Sequence, residues 1–364
     1  MRKLTACALL CGCASQGVPP GGPVDRAAPQ VMSITPDTGK TGFNARAVIF
    51  KFDEIVSEKP ANATTLGDLF IISPRRGAPD VAWKRDEIRV RPRNGWLRNT
   101  TYSVTMLPGI ADLRNNARNA TASTFFSTGP DIAPSRIDGT VIDWITATPL
   151  RGAVVEARAG TDTSNAWVTV ADSSGAFSLS HLPAGAFSLR AYIDKNRNFG
   201  VDPDEAWDSA TVMLTTTATI PLLVYVHDTL PPQLREVLAP DSATLLLIFD
   251  RPADSATALS PASYSVIGAD SVAVPIASVR RQPGDTSQHR VAMPRVGPVA
   301  NVEIKLARPM TAKRAYHVRA TNIRGVTGKT TTSDKIVTYN PGATPPVRPP
   351  QLPGGAVPIP PANR

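Results

Sequence analysis

Between Asp194 and Glu205 the chain reads Asp-Lys-Asn-Arg-Asn-Phe-Gly-Val-Asp-Pro-Asp-Glu. Oxygen-bearing side chains fall at the first, third, fifth, ninth and twelfth places: Asp194, Asn196, Asn198, Asp202 and Glu205. That is the oxygen spacing of an EF-hand-type calcium loop. In such a loop alternate residues turn inward, the seventh residue (here Gly200) offers its backbone carbonyl, and a carboxylate at the twelfth place closes the shell. The sequence departs from the pattern at the sixth place, where glycine usually makes the sharp turn: Phe199 stands there and Gly200 follows one place later. Either the turn moves by one residue, or the segment is an acidic hairpin that holds no metal. Only Asp194, Asp202, Asp204 and Glu205 bring negative charge, so calcium would be held modestly, and its role would be structural.

No second constellation of this kind is found. The four histidines (His181, His227, His289 and His317) are scattered, with no His-x-x-x-His or Cys-His spacing. There is no Gly-x-Ser-x-Gly elbow, phosphate-cradling loop or nucleotide fingerprint. His317 falls in an expected strand and His181 in an expected turn, both read as ordinary surface residues. The pair Asp53-Glu54 sits at a strand end, where consecutive side chains point to opposite faces, which argues against a shared acid/base pair. Tryptophans 83, 96, 144, 167 and 207 could stack on sugar rings, but their spread favours core or sandwich-edge packing. The expectation is a protein that is not an enzyme.

All three cysteines lie in the first thirteen residues, and Cys13 closes the segment Leu10-Cys11-Gly12-Cys13. Arg2 and Lys3 precede an apolar run from Leu4 to Leu10, the build of a secretion signal. The run is too short to span a bilayer, which takes about 20 residues. Leucine three places before the cysteine and glycine just before it resemble a bacterial lipobox, which implies lipidation at Cys13. An ordinary signal peptide behind a misplaced start is the alternative. With Cys13 acylated the mature chain has no thiol and no disulfide, so its cores alone must hold it. Alanine rather than aspartate at position 14 favours the outer membrane.

The composition, with 35 prolines, 25 glycines and short alternating runs of threonine and valine, points to an all-β chain. Six segments are expected: a signal peptide over 1–12, a tether over 13–28, sandwiches over 29–130, 131–228 and 229–340, and a proline-rich tail over 341–364. The tail reads as disorder or as a peptide ligand for a partner. In the first sandwich Pro29-x-Val31 with Pro36, Phe50-Lys51-Phe52-Asp53, Tyr102-Ser103-Val104, Ile110-Ala111-Asp112-Leu113-Arg114-Asn115-Asn116 and Phe126-Ser127-Thr128-Gly129 occur together. As a set these resemble the SbsA-type Ig-like domain of bacterial envelope proteins, which implies a β-sandwich and no catalysis. The third sandwich reads as a diverged repeat: Leu247-Ile248-Phe249-Asp250, Tyr316-His317-Val318 and Ile323 to Gly328 answer three of those phrases. The middle one carries Gly139-Thr140-Val141, Pro149-Leu150-Arg151-Gly152-Ala153-Val154-Val155, Asp172-Ser173-Ser174-Gly175-Ala176-Phe177 and Leu182-Pro183-Ala184-Gly185. These resemble the carboxypeptidase-regulatory-like, transthyretin-like sandwich, with Asp172 to Gly175 expected as a hairpin turn. The acidic loop also resembles calcium loops in the sandwich repeats of bacterial surface adhesins.

The net charge is +9, and it is divided: residues 1–130 carry +7, 131–228 carry −6 and 229–364 carry +8. Arg89, Arg91 and Arg93 alternate along one expected strand, with Arg75, Arg76 and Arg85 expected nearby. This is either the wet side of a sandwich or a face for anionic lipid, lipopolysaccharide or acidic glycan. No aromatic residues interleave with the arginines, so nucleic acid is not an expected partner. The chain therefore reads as a monomeric outer-membrane lipoprotein, held to the membrane by its acyl anchor. It would act as an interaction or scaffold module toward an envelope protein or glycan. A glycan-binding accessory of polymer uptake is the alternative, and an unrecognised hydrolase a more remote one.

Overall fold

The structure, a computed structural model, describes residues 24–160, 162–282 and 294–342. Cys13, the signal segment and nearly all of the proline-rich tail lie outside the described residues. The regular structure of the described chain is almost all β-strand, as its composition leads one to expect, and its strands form three successive pairs of facing layers.

The first set comprises β1 (Val31–Thr35), β2 (Val48–Phe52), β3 (Phe70–Ser73), β4 (Pro79–Lys84), β5 (Glu87–Pro92), β6 (Thr101–Met106) and β7 (Ala122–Ser127). They form a four-stranded sheet ordered β1-β2-β5-β4 and a three-stranded sheet ordered β3-β6-β7. Alternation explains the pairing: Val48, Phe50 and Phe52 of β2 and Ile88 and Val90 of β5 point inward, meeting Phe70, Tyr102, Val104 and Phe126 of the facing sheet.

The second set is β8 (Ser135–Asp143), β9 (Val154–Ala159), β10 (Asp162–Val170), β11 (Ala176–Leu182), β12 (Gly185–Tyr192), β13 (Ala206–Leu214) and β14 (Thr217–Val226). These make one seven-stranded sheet ordered β10-β9-β12-β13-β14-β8-β11, in which β14 and β8 run parallel. β13 joins β14 through only two residue pairs, Ala206 with Val226 and Trp207 with Tyr225. The sheet folds at that seam, so that Ile137 and Val141 of β8 and Leu222 of β14 pack on Val155, Ala157 and Leu189 from β9 and β12. The Asp172–Gly175 turn does not close a hairpin as expected. It links β10 and β11, which stand at opposite ends of the sheet order. The turn chemistry is nevertheless local: Asp172 Oδ1 accepts from the Ser174 and Ala176 amides at 2.8 and 3.0 Å, and Gly175 takes a φ of +74°. Gly139 answers a different need, because a Cβ there would lie 2.0 Å from the Ile220 carbonyl oxygen and 2.6 Å from the Phe177 ring.

The third set is β15 (Leu234–Asp241), β16 (Thr244–Ala253), β17 (Tyr264–Gly268), β18 (Ile276–Arg281), β19 (Val299–Leu306), β20 (Ala315–Arg324) and β21 (Thr330–Thr338), with a one-turn helix at Ser255–Ala258. Its sheets are ordered β15-β16-β19-β18 and β17-β20-β21, the strand order of the first set repeated one for one. The likeness extends to single hydrogen bonds. Asp53, just past β2, and Asp250, within β16, hold corresponding places, and their carboxylates accept from the Gln30 and Gln233 amides at 2.8 and 2.7 Å. Tyr102 and Tyr316, both buried, each accept at the hydroxyl from the amide five residues earlier, Leu97 and Thr311, at 2.8 Å.

Truncating either tyrosine hydroxyl would strand a backbone N–H, a loss of about 1–3 kcal/mol. Tyr102→Phe and Tyr316→Phe are each expected to lower the denaturant midpoint of the transition carrying that sandwich, with the other transition unmoved. An unchanged unfolding profile in both variants would show that the hydroxyls contribute nothing.

Candidate functional site

β12 delivers the acidic loop. It ends at Tyr192, whose ring is fully buried, and the loop returns through Glu205 into β13. Asp194 caps the start: its Oδ1 accepts from the Asn198 amide at 3.1 Å and its Oδ2 from the Phe199 amide at 2.8 Å. Asn196 and Asn198 direct their side-chain amides to Asp202 Oδ2, at 2.6 and 3.1 Å. Glu205, 1% exposed, closes the loop from below, with Oε1 accepting from the Lys195 amide at 2.8 Å and Oε2 from the Asp202 amide at 3.0 Å. Asp204 turns away to meet Lys195 Nζ at 3.0 Å, and that hydrogen bond holds its carboxyl below the ordinary range.

The sharp turn does not move to Gly200. Phe199 itself takes a φ of +56°, with Arg197 at +59°, so the sixth residue adopts the left-handed conformation that glycine gives such a loop. The structure thus draws Asp194, Asn196, Asn198, Asp202 and Glu205 round one loop, with Gly200 between them. By residue type the donors are those calcium takes, all oxygen with three carboxylates, but Asn196 and Asn198 turn Nδ2 rather than Oδ1 toward Asp202. Those carboxylates do not form a trio as tight as the one described below, and amide oxygens would have to complete the set.

The reason Phe199 stands at that place is packing. Its ring lies under the Arg75 guanidinium, 3.8 Å from centroid to Cζ, and Phe199 and Val201 join an apolar cluster of Ile71, Leu107, Val154, Ala166, Val168, Tyr192 and Trp207. Ile71 and Leu107 belong to the first sandwich. Around them Arg75 and Ala166 exchange two backbone hydrogen bonds, at 2.6 and 3.2 Å, and Val168 N donates to Ser73 Oγ at 3.0 Å. The loop therefore sits at the joint between the first and second sandwiches. Arg75, expected beside the arginine stripe, belongs to this joint, where burial pushes its guanidinium pKa down against the pull of Tyr192, Glu156 and Asp194. Burial also pushes the pKa of the Tyr192 hydroxyl up, and that hydroxyl has no hydrogen-bond partner among the described residues.

The stripe itself is compensated. Arg89 pairs with Glu87 at 3.2 Å, Arg91 with Asp80 at 2.6 Å, and Lys51 with Asp86 at 2.7 Å. Arg93 lies past the end of β5, in a cleft at one end of the sandwich together with Arg46, Arg98 and Trp96. Sequence reading missed this grouping because Arg46 and Arg98 approach from separate loops.

The described histidines are each accounted for. His181 lies in β11, not in a turn, and is not an ordinary surface residue: it stacks on Phe125 of the first sandwich at 4.0 Å, and burial lowers its pKa. His227 is sandwiched between Trp207 and Tyr225 at 3.9 and 4.0 Å. The column continues through Trp144 to the guanidinium of Arg295, 4.0 Å over the indole, and so reaches the third sandwich. His317 Nε2 meets Asp334 Oδ2 at 2.7 Å across β20 and β21.

A second acidic group is also new. Asp25, Glu54 and Asp112 bring carboxylate oxygens within 4.8 Å of one another. Asp53 accepts from the Gln30 amide, while Glu54 meets carboxylates from other segments. Arg114 supplies a countercharge 3.3 Å from Asp25. Asp112 is occupied by its own turn, accepting from the Arg114 and Asn116 amides at 2.9 and 2.7 Å and from Asn116 Nδ2 at 2.7 Å. This explains the Asp-Leu-x-x-Asn phrase: the aspartate and asparagine tie the turn.

Against known families, residues 25–128 match the bacterial Ig-like domain model. Those residues are the first sandwich, β1 to β7. Among curated proteins no match is found. Among solved structures, the N-terminal part of the bacterial S-layer protein SbsC aligns at 23% identity over 30% of this chain and 24% of its own, with a TM-score of 0.24. The Bacillus anthracis TIE protein aligns at 10% identity over 86% of this chain and 56% of its own, with a TM-score of 0.19. An L,D-transpeptidase from Mycobacterium smegmatis aligns at 16% identity over 54% and 76%, with a TM-score of 0.21. This chain thus spans about a quarter of the first of these and about half of the second.

Burial opposes the charge on Asp112, but the hydrogen bonds from Asn116 and Arg114 outweigh it and hold the carboxyl below the ordinary range. A depressed carboxyl contributes stability above its unfolded pKa and loses it as pH falls through the folded one. Asp112→Asn is therefore expected to destabilise the protein at pH 7, with the gap from wild type closing below about pH 4. A gap independent of pH, read from urea unfolding, would mean that geometry alone matters at this turn.

Proposed function

We propose that this chain is a non-enzymatic protein of the bacterial cell envelope, a lipid-anchored module that holds or spaces a partner. The observation that carries the reading is the serial build. A bacterial Ig-like domain is followed by a folded seven-stranded sheet and a second sandwich of identical strand order, each joined to the next by direct contacts. Such a build gives length and surface rather than a catalytic pocket. In this reading Cys13 carries the acyl group, the outer membrane is the site of anchoring, the protein is a monomer, and the middle sandwich is of the carboxypeptidase-regulatory-like kind. An envelope protein or glycan is the partner. The test is fractionation with protease accessibility on intact and lysed cells. Wild type is expected in the membrane fraction and Cys13→Ser in the soluble one. A Cys13→Ser variant that remains in the membrane fraction would overturn the anchor. Digestion on intact cells places the modules outside, and protection until lysis places them in the periplasm.

The same proposal assigns calcium to the loop from Asp194 to Glu205, through Asp194, Asn196, Asn198, the Gly200 carbonyl, Asp202 and Glu205. The ion would neutralise carboxylates crowded on one loop. Because the loop packs into the joint, the ion would stiffen the junction of the first two sandwiches. At a hundredfold excess over its Kd, calcium is expected to stabilise the fold by about 2.7 kcal/mol. A calorimetric melt should move upward with calcium in wild type and stay in place in Asp202→Asn. Identical wild-type melts in calcium and in chelator would remove calcium from the account.

A further inference from the structure

The end of the first sandwich carries a basic cleft of about 820 Å³, lined by Arg46, Arg91, Arg93 and Arg98 and by no carboxylate. Arg91 is already held by Asp80. Arg46, Arg93 and Arg98 are exposed and make no ion pair among the described residues. Three guanidiniums on one concavity repel each other, so the arrangement is complementary to negative charge. The floor is fixed: Trp96 donates from Nε1 to the Arg46 carbonyl at 3.2 Å, and its ring packs on Tyr102 and Phe126 at 4.8 and 5.1 Å. The backbone carrying Arg46 is thereby tied to the core, and little order has to be gained on binding.

The cleft does not end there. A second hollow of about 450 Å³ shares Leu97 and Asn99 with the first and runs between the two sandwiches to Trp167. The Trp167 indole N–H is buried and has no hydrogen-bond partner among the described residues, and its ring packs edge-on against Phe187 at 5.5 Å. Asn99 lies where the two hollows meet, and Asp131 lines only the second. The two hollows adjoin there and together make a trough, cationic at one end and polar and aromatic at the other, with one carboxylate, Asp131, on its wall. A flat bilayer would meet the rim of such a trough and not its floor. A flexible chain bearing both acidic groups and hydroxyls can follow it, with its charge at the arginines and a sugar ring toward Trp167.

We propose that this trough binds a strand of acidic polysaccharide, with Arg46, Arg93 and Arg98 as the carboxylate- or phosphate-binding residues and Trp167 at the sugar-facing end. The inference names the partner of the envelope reading and rests on that reading only for where the polymer is met. A failure of membrane anchoring and a failure of binding are separate results.

The test measures binding of the full mature chain to polygalacturonate, with dextran, polyglutamate and phosphatidylglycerol vesicles as comparisons, by calorimetry over a range of salt. Wild type is expected to bind polygalacturonate with salt-sensitive affinity and to ignore dextran. The triple variant Arg46→Ala, Arg93→Ala, Arg98→Ala should lose at least tenfold, and a charge-matched control, Arg76→Ala, Arg308→Ala, Arg319→Ala, should stay within twofold. Equal thermal melts of the two triples show that folding is intact. Trp167→Phe should weaken polygalacturonate binding without changing its salt dependence. Absence of polygalacturonate binding would overturn the proposal, as would equal losses in both triple variants, which mark general charge attraction. Tighter binding of polyglutamate would make the trough a site for acidic peptide, and binding confined to vesicles would make it a membrane contact. Either result overturns it too.

Discussion

Every strand in this molecule must bury one face against a facing layer, and no disulfide within the sandwiches helps it do so, since the sequence has no cysteine after Cys13. Side chains such as Val48, Phe50, Ile88, Val104 and Phe126, and in the third sandwich Leu245, Leu247, Val302, Ile304 and Val318, are wholly or almost wholly out of water. Burying a side chain of this kind is worth about 1.5–3 kcal/mol, which ordering of the chain largely offsets. With so narrow a surplus, the layers cannot also tolerate unpaired polar groups where strands begin and end. The recurring small devices follow from that need. Asp53 and Asp250 accept the amide at the entrance to a neighbouring strand, Tyr102 and Tyr316 take up an amide at the edge of the core, and Asp112 ties a turn that would otherwise leave two N–H groups open.

Those devices show how much of the fold was legible beforehand. The alternating runs marked the strands, and the Phe-x-Phe-Asp and Tyr-x-Val phrases turned out to combine an inward apolar face with a hydrogen-bonding residue at a fixed offset. Because both the periodicity and the offset are local, they can be read from the chain. The repeat of the first sandwich in the third was legible for the same reason. The middle unit shows the limit. The turn from Asp172 to Gly175 has the local chemistry of a hairpin, yet it joins strands at opposite ends of the sheet, because which strands pair is decided by long-range packing that no short phrase records.

The candidate site divides in the same way. The oxygen spacing from Asp194 to Glu205 was visible, and the structure does wind those residues into one loop. What the spacing could not convey is why phenylalanine stands where glycine is usual. A side chain at that place would cost strain in the left-handed region unless something repaid it. Contact with Arg75 and with the cluster around Ile71 and Tyr192 is that repayment, and part of it, Arg75, Ile71 and Leu107, comes from a different sandwich. The arginines illustrate the converse. Of a stripe that looks cationic along one strand, Arg89 and Arg91 are neutralised by Glu87 and Asp80, while Arg93 and Arg98 are joined in one cleft by Arg46, distant in sequence.

The position of the acidic loop has a mechanical consequence. In an isolated sandwich, a loop of this kind can open without disturbing anything beyond its own hairpin. Here its apex is the inner wall of a joint, so any opening of the loop must withdraw Phe199 and Val201 from the cluster that also holds Ile71 and Leu107. Conversely, flexing of the joint must pull on a loop whose closure depends on Glu205 gripping the Lys195 and Asp202 amides. The two equilibria are coupled because they share the same contacts. Whatever biases the loop between closed and open therefore biases the joint as well, and the coupling is reciprocal.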